Sequence, residues 1–292
     1  MPATGWSLRK GEPKGSLTIP PMPRQGNAAL RLSRDNDLSA HTDHFRTRHS
    51  STWRLTPVGV TQAQRTGAWL RSEGFRFTSY LVSPFARALE TAHHLELPDA
   101  AWQVTLALRE RSWGDLEPLP IPERQERFAE ALLTRETSPF FWMPPNGEPL
   151  ASVCERLAPV IRALEDGPRH ALAGDAEPDA PPGSALLVCH GEVMTSVRVL
   201  LDPAMAVRIV DPGWLKDSWI QLRNGDVVQY TRRGPESGEL HPTWRWVRHV
   251  RAAEGPDATA AWEPLQAPTL DNGALAWLAS ATHRLERDDA GY

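Results

Sequence analysis

Three residues of this chain have the types that phosphoryl chemistry uses. Arg87 lies in SYLVSPFARALETA (residues 79–92), Glu110 in LALRERSWGDLE and His190 in LLVCHGEVM. The first stretch is the most informative. An apolar run, Tyr80-Leu81-Val82, leads through Ser83-Pro84 into a helix with Arg87 in its first turn. Unpaired N–H groups and the helix dipole at such a junction favour an anion. A guanidinium there adds a fork of donors that matches phosphate. Together, arginine neutralises phosphoryl oxygens, a carboxylic acid protonates the leaving alkoxide, and histidine donates to equatorial oxygens.

Each residue also has a plainer reading: Arg87 as a surface arginine, Arg109-Glu110-Arg111 as a solvated charged face, His190 as a hydrogen-bonded structural histidine. What favours the chemical reading is their common position. Strands are expected over 77–82, 103–108 and 185–189 (ALLVC), and each of the three residues follows one of them. Open α/β sheets bind ligands at the carboxyl ends of their strands. Gly191 is expected to let the chain turn closely from His190 into a helix.

The surrounding elements follow from local pattern. Thr56-Pro57 starts a helix that Gly74 ends. Helices are expected over 84–95, 122–136, 149–165, 191–201 and 272–285, and a short strand over 28–32. Residues 218–223 and 226–231 flank Asn224-Gly225, a hairpin signal. Residues 1–25 read as a poorly specified leader, 26–235 as the main domain, and 236–292 as a C-terminal arm packing on it. Strands alternating with helices predict an α/β fold with a mostly parallel sheet.

Composition narrows the function. The 292 residues carry a net charge of −4, which calls for neither nucleic acid nor an anionic membrane. No apolar run approaches a membrane span, and no signal-peptide core is present. Cys154 and Cys189 make no disulfide framework, so a cytoplasmic setting is expected. Three lysines stand against 29 arginines, a compositional bias without functional content. His41, Asp43, His44 and His49 lack a firm metal-ligand spacing. The aromatic-basic run Trp244, Arg245, Trp246, Arg248, Arg251 reads as packing rather than as a nucleic-acid surface.

In order, LTPVGVTQA (55–63), SPFARALETA (83–92), LRERSWGDLE (108–117), FFWMPPNGEPLASVCERL (140–157) and VCHGEVM (188–194) resemble the motifs of the histidine phosphatase superfamily, the phosphoglycerate mutase-like group. The resemblance covers about residues 26–235. It implies a three-layer α/β sandwich, phosphorylated small-molecule or phosphoprotein partners, and no metal or cofactor. By position, Arg87 resembles the second phosphate-binding arginine, Glu110 the leaving-group acid and His190 the second histidine.

The family's nucleophile is the histidine of an Arg-His-Gly motif after the first strand. In one register 28–32 is that strand and Arg34-Asp35-Asn36 takes the motif's place. In the other, preferred here, Leu17-Thr18-Ile19 is the strand, Pro20-Pro21-Met22 replaces the motif, and Gly26-Asn27 resembles its trailing Gly-Asn. Asn27 is then a phosphate-binding candidate. Arg48-His49-Ser50 resembles the motif but has no strand before it. Three explanations stay open: a pseudoenzyme, another nucleophile such as Asp35, or a shifted reading frame over residues 1–25.

Overall fold

The structure, a computed structural model, describes residues 16–19, 47–98, 100–170, 184–208, 222–255, 260–265 and 270–276. Seven strands form one sheet: β1 (Ser16–Ile19), β2 (Ser79–Val82), β3 (Trp102–Val104), β4 (Ala185–Val188), β5 (Val227–Thr231), β6 (Trp246–Val250) and β7 (Glu263–Pro264), in the order β3-β2-β4-β1-β5-β6-β7. Strands β1 to β4 are mutually parallel, and β5, β6 and β7 each pair antiparallel. The register Val82↔Val188 brings the carboxyl ends of β2 and β4 level.

Alternation along β4 shows why the sheet is covered on both faces. Ala185, Leu187 and Cys189 enter one apolar cluster with residues of α5 (Leu150–His170) and α6 (Gly191–Leu201). Leu186 and Val188 enter another with Trp69 and Leu70 of α1 (Pro57–Ser72) and Ala88 and Ala92 of α2 (Ala86–His94). Each fully buried Leu or Val contributes about 1.5–3 kcal/mol. The result is a three-layer α/β sandwich.

Helix α1 starts as its sequence dictates. The Thr56 hydroxyl accepts the Gly59 N–H at 3.0 Å, and Pro57 takes the first position. Gly74, at φ 71°, follows its end. Gly67 lets α1 close on α2: a Cβ there would stand 2.1 Å from the Leu95 carbonyl oxygen.

Several expectations change. The segment 1–25, expected to lie outside the domain, contributes β1, which is held between β4 and β5. That is the strand of the preferred register; residues 28–32 lie outside the described residues. The strand expected over 103–108 stops at Val104. Thr105 caps a 3-10 turn, Leu106–Leu108, by accepting the Ala107 N–H, and this ends the extended chain. The helix expected over 122–136 is two, α3 (Ile121–Arg127) and α4 (Ala129–Thr137), broken at Phe128 with φ −131° and ψ 30°.

Asn224-Gly225 does turn the chain, with Gly225 at φ 83°. However, β5 pairs with β1 and β6, and the turn's carbonyl accepts Thr66 Oγ1 of α1. No hairpin forms among the described residues; residues 218–221 lie outside them. The C-terminal aromatics serve the sheet. Trp244 is in the core, and Arg248 bonds Gln229 on β5 and lies 4.7 Å over Trp262. Helix α7 (Pro203–Arg208) follows α6, and a short helix covers 272–276. No helix of the described residues is long and apolar enough to cross a membrane.

Candidate active site

The site grows from the level ends of β2 and β4. Ser83, directly after β2, donates its N–H to the Val188 carbonyl and so ties the two strand ends together. Its hydroxyl accepts the Phe85 N–H at 3.3 Å, just before α2 begins. Arg87 therefore sits in the first turn of α2, pointing across to the second residue after β4. That residue, His190, is the N-cap of α6, with extended backbone at φ −131° and ψ 166°. The carboxyl of Glu110 arrives from the turn after β3.

The three side chains converge. Arg87 Nη2 stands 3.1 Å from His190 Nδ1, and Glu110 Oε2 stands 3.8 Å from the same nitrogen. His190 Nε2 lies 2.8 Å from Ser83 Oγ, and the Phe85 ring packs edge-on against the imidazole with centroids 5.0 Å apart. Arg87 Nη1 donates to the Ser50 carbonyl at 2.6 Å. A guanidinium has donors only, so Nδ1 must accept from Arg87. The proton of the neutral imidazole is then on Nε2 and is donated to Ser83. The Ser83–His190 bond thus runs from ring to hydroxyl, the opposite sense to a serine nucleophile with a histidine base.

Burial sets the charges. His190 is 1% exposed, and desolvation, with Arg87 and then Arg156, holds it well below 6.5. Burial pushes Glu110 up to about 7, helped by the Glu192 carboxylate and opposed by Arg87, the Arg111 N–H and Arg156. Burial pushes Arg87 down to about 10, against the carboxylates of Glu110 and Glu117, so it stays cationic at neutral pH. Burial also pushes the Cys189 thiol up, which leaves it protonated and unreactive beside the site.

A network fixes the turn that carries Glu110. Arg156 of α5 donates to the carbonyls of Ala107 and Arg109 and to Glu148, which also binds Arg109 at 2.9 Å. Arg111 is 3% exposed. It donates to the carbonyls of Glu148 (2.7 Å) and Trp142 (2.9 Å), pairs with Glu192 at 3.7 Å, and lies over the rings of Trp113 and Trp142. The run Arg109-Glu110-Arg111 is accordingly not a solvated face.

Arg87, Glu110 and His190 are brought together as the strand-end argument predicts. Asn27 and Asp35, with His41, Asp43 and His44, lie outside the described residues. His49 stands near the site, its ring centroid 6.0 Å from that of Phe85, but its Nδ1 accepts the Ser51 N–H. That bond engages the Nδ1 lone pair. Gly191 does not need a glycine conformation: no positive φ occurs there, and a Cβ would meet no atom within 4 Å among the described residues.

Sequence reasoning missed Ser50, whose carbonyl binds Arg87, and the buried Arg111–Glu192 pair. Glu192 had a usable signal, since it stands two residues from His190 on the same helix start. Ser50 had none. Chemically, the arrangement can hold a tetrahedral oxyanion between a guanidinium and an imidazole at the starts of two helices, beside a carboxyl that keeps its proton up to about pH 7.

Comparisons with known proteins bear on the family and the fold. The sequence profile of the histidine phosphatase superfamily (branch 1) matches residues 40–208. A 2,3-bisphosphoglycerate-dependent phosphoglycerate mutase of Methylorubrum populi is 35% identical over 157 residues, 51% of this chain and 69% of the relative. A 6-phosphofructo-2-kinase/fructose-2,6-bisphosphatase of Gallus gallus is 29% identical over 140 residues, 48% of this chain and 26% of that protein. Among solved structures, the mycobacterial glucosyl-3-phosphoglycerate phosphatase superposes with a TM-score of 0.52 at 19% identity, covering 79% of this chain and 94% of its own. The fold is that of an α/β phosphatase-like domain. This chain belongs to the histidine phosphatase superfamily.

Proposed function

We propose that the chain is a phosphomonoesterase or phosphoglycerate mutase-like protein whose pocket takes the phosphoryl group of a phosphorylated small molecule or phosphoprotein. In this reading Arg87 holds the phosphoryl oxygens, with Asn27 as a further ligand. His190 donates to them once protonated, and Glu110, protonated near neutral pH, gives its proton to the leaving oxygen. The observation that carries the reading is the meeting of Arg87 and Glu110 at His190 Nδ1, at 3.1 and 3.8 Å. The names of the relatives, a phosphoglycerate mutase and a fructose-2,6-bisphosphatase, support the same substrate class. With both cysteines free and buried, a cytoplasmic setting fits.

A second reading, a phospho-ligand binder without turnover, is favoured by one observation. Strand β1 ends at Ile19, and the next residues are Pro20-Pro21-Met22 rather than Arg-His-Gly. One experiment separates the two. The purified chain is assayed for phosphate release from p-nitrophenyl phosphate, and its binding of phosphate and vanadate is measured by calorimetry. Turnover abolished by His190→Ala supports the enzyme. Binding without turnover supports the binder. Neither binding nor turnover, in a folded protein, removes both.

A further inference from the structure

The arrangement of Arg87 and His190 holds a conflict for any anionic ligand. Arg87 Nη2 is engaged by the lone pair on His190 Nδ1. A phosphoryl oxygen arriving there competes for the same donor and meets a second acceptor, Nδ1 itself. The ring has no easy way to turn its other nitrogen to the ligand. It is 1% exposed, packed against Phe85, and held through Nε2 by Ser83 Oγ at 2.8 Å. Nδ1 becomes a donor to the anion by gaining a proton, either from solvent or from Nε2 with the Ser83 hydroxyl then donating to Nε2, and only the first route takes a proton up.

Resting on the phosphoryl-pocket reading above, we propose that a phosphate-like dianion enters between Arg87 and His190 together with one proton, which settles on Nδ1 as the Arg87–His190 hydrogen bond is exchanged for bonds to the anion. The balance is simple: neutral His190, the dianion and one solvent proton give an imidazolium–dianion pair. The one bond formed in the protein is Nδ1–H, and Arg87 stays cationic throughout.

The charges around the ring support the exchange. From α2, Arg87 opposes protonation of the free ring, as does Arg156 from α5. From the turn after β3, Glu110 at 3.8 Å is mostly protonated below pH 7 and offers little compensating charge, with Glu192 of α6 reinforcing that state. From the segment before α1, His49 reaches Phe85, the ring that also packs on His190. A dianion reverses the balance, because an opposite charge within about 4–6 Å shifts a pKa by about 1 to 3 toward the charged form. The pocket thus selects its ligand with a proton attached to the protein, and affinity depends on pH even for ligands that do not titrate.

Sulfate is the probe, since it stays a dianion at pH 6, where Glu110 is already protonated. Calorimetric titration of the full chain with sulfate at pH 6, in buffers of different ionisation enthalpy, is expected to show about one proton taken up per sulfate bound. Affinity should fall about tenfold per pH unit across the window in which that proton enters. Two-bond proton–nitrogen NMR should place the free-state proton on Nε2 alone and, with saturating sulfate, on both ring nitrogens. Sulfate binding without proton uptake, or Nδ1 protonated in the free chain, overturns the inference while leaving the phosphoryl pocket standing. If neither inorganic phosphate nor sulfate binds the folded chain, the pocket reading and the inference fall together.

Discussion

Arg87 and Arg111 are both buried arginines near Glu110, and they are used in opposite ways. Arg111 is saturated: two carbonyls, the Glu192 carboxylate and two tryptophan faces surround it. Arg87 has one carbonyl and one neutral imidazole nitrogen as hydrogen-bond partners among the described residues, and lies 4.9 Å over the Phe85 ring. Glu110 and Glu117 act on it through charge but form no ion pair with it among those residues. Burying a cation without an anionic partner is costly. The fold bears this cost at Arg87, yet gives Arg111 close by a carboxylate, two carbonyls and two ring faces, a contrast that fits the proposed binding role of Arg87.

The comparison can be broken by substitution. The largest effect is expected at Arg87. Arg87→Leu removes two charge-assisted hydrogen bonds to a bound phosphate, each worth about 1.5–3 kcal/mol, so affinity should drop about a hundredfold or more. The urea unfolding midpoint should change little or rise. An unchanged phosphate affinity by calorimetry would make Arg87 structural after all.

Arg111→Ala should do the reverse. Taking the cation of the Arg111–Glu192 pair away from the buried carboxylate costs about 3–5 kcal/mol of stability, read from denaturant unfolding. Phosphate affinity of the folded fraction should stay within a few-fold of the parent. Equal losses in stability from both arginine variants would erase the distinction.

The next effect concerns the carboxyl between them. Glu110 is raised from 4.5 to about 7 in the folded chain, so between these values the folded state holds more of its proton than the unfolded state. Its contribution therefore favours folding at low pH and is lost as pH rises through that window, by at most about 1.4 kcal/mol per pH unit. His190, depressed below 6.5, works the other way: the unfolded chain takes its proton first as pH falls below 6.5. In Glu110→Gln, stability should rise with pH up to about 6.5, where the parent shows a flatter profile. Identical pH profiles of unfolding would exclude this opposition. In the parent, any phosphatase activity should also fade as pH rises past about 7.

The smallest effect is a control away from both arginines. Gly67→Ala pushes a methyl into the Leu95 carbonyl and should cost about 1–3 kcal/mol by overpacking. Because α2 carries Arg87, a small weakening of phosphate binding should accompany it. Unchanged stability would show that α1 and α2 separate easily.

The sequence made the place of Arg87 legible and that of Arg111 illegible, for a physical reason. Arg87, Glu110 and His190 follow apolar strands, and strand ends converge in any parallel sheet. Thr56-Pro57 and the ALLVC run are equally local signals. Arg111 depends on Glu148, Trp142 and Glu192, all distant in sequence, and a run of alternating charges says nothing about such partners. The end of β3 was misplaced because Thr105 prefers to cap a turn, which alternation does not report. The Asn224-Gly225 turn was real, but its strand pairs were decided by β1, more than 200 residues upstream.

The position of β1 has a consequence for how the molecule comes apart. Among the described residues it is the one strand that joins the parallel block β3-β2-β4, which bears the site, to the antiparallel block β5-β6-β7. A fragment limited to residues 40–208 would lack it, and β4 would end in a bare edge of unpaired N–H and carbonyl groups. These four residues carry the pairing between the two blocks among the described strands, so removing them from the full chain is expected to uncouple the melting of one block from that of the other.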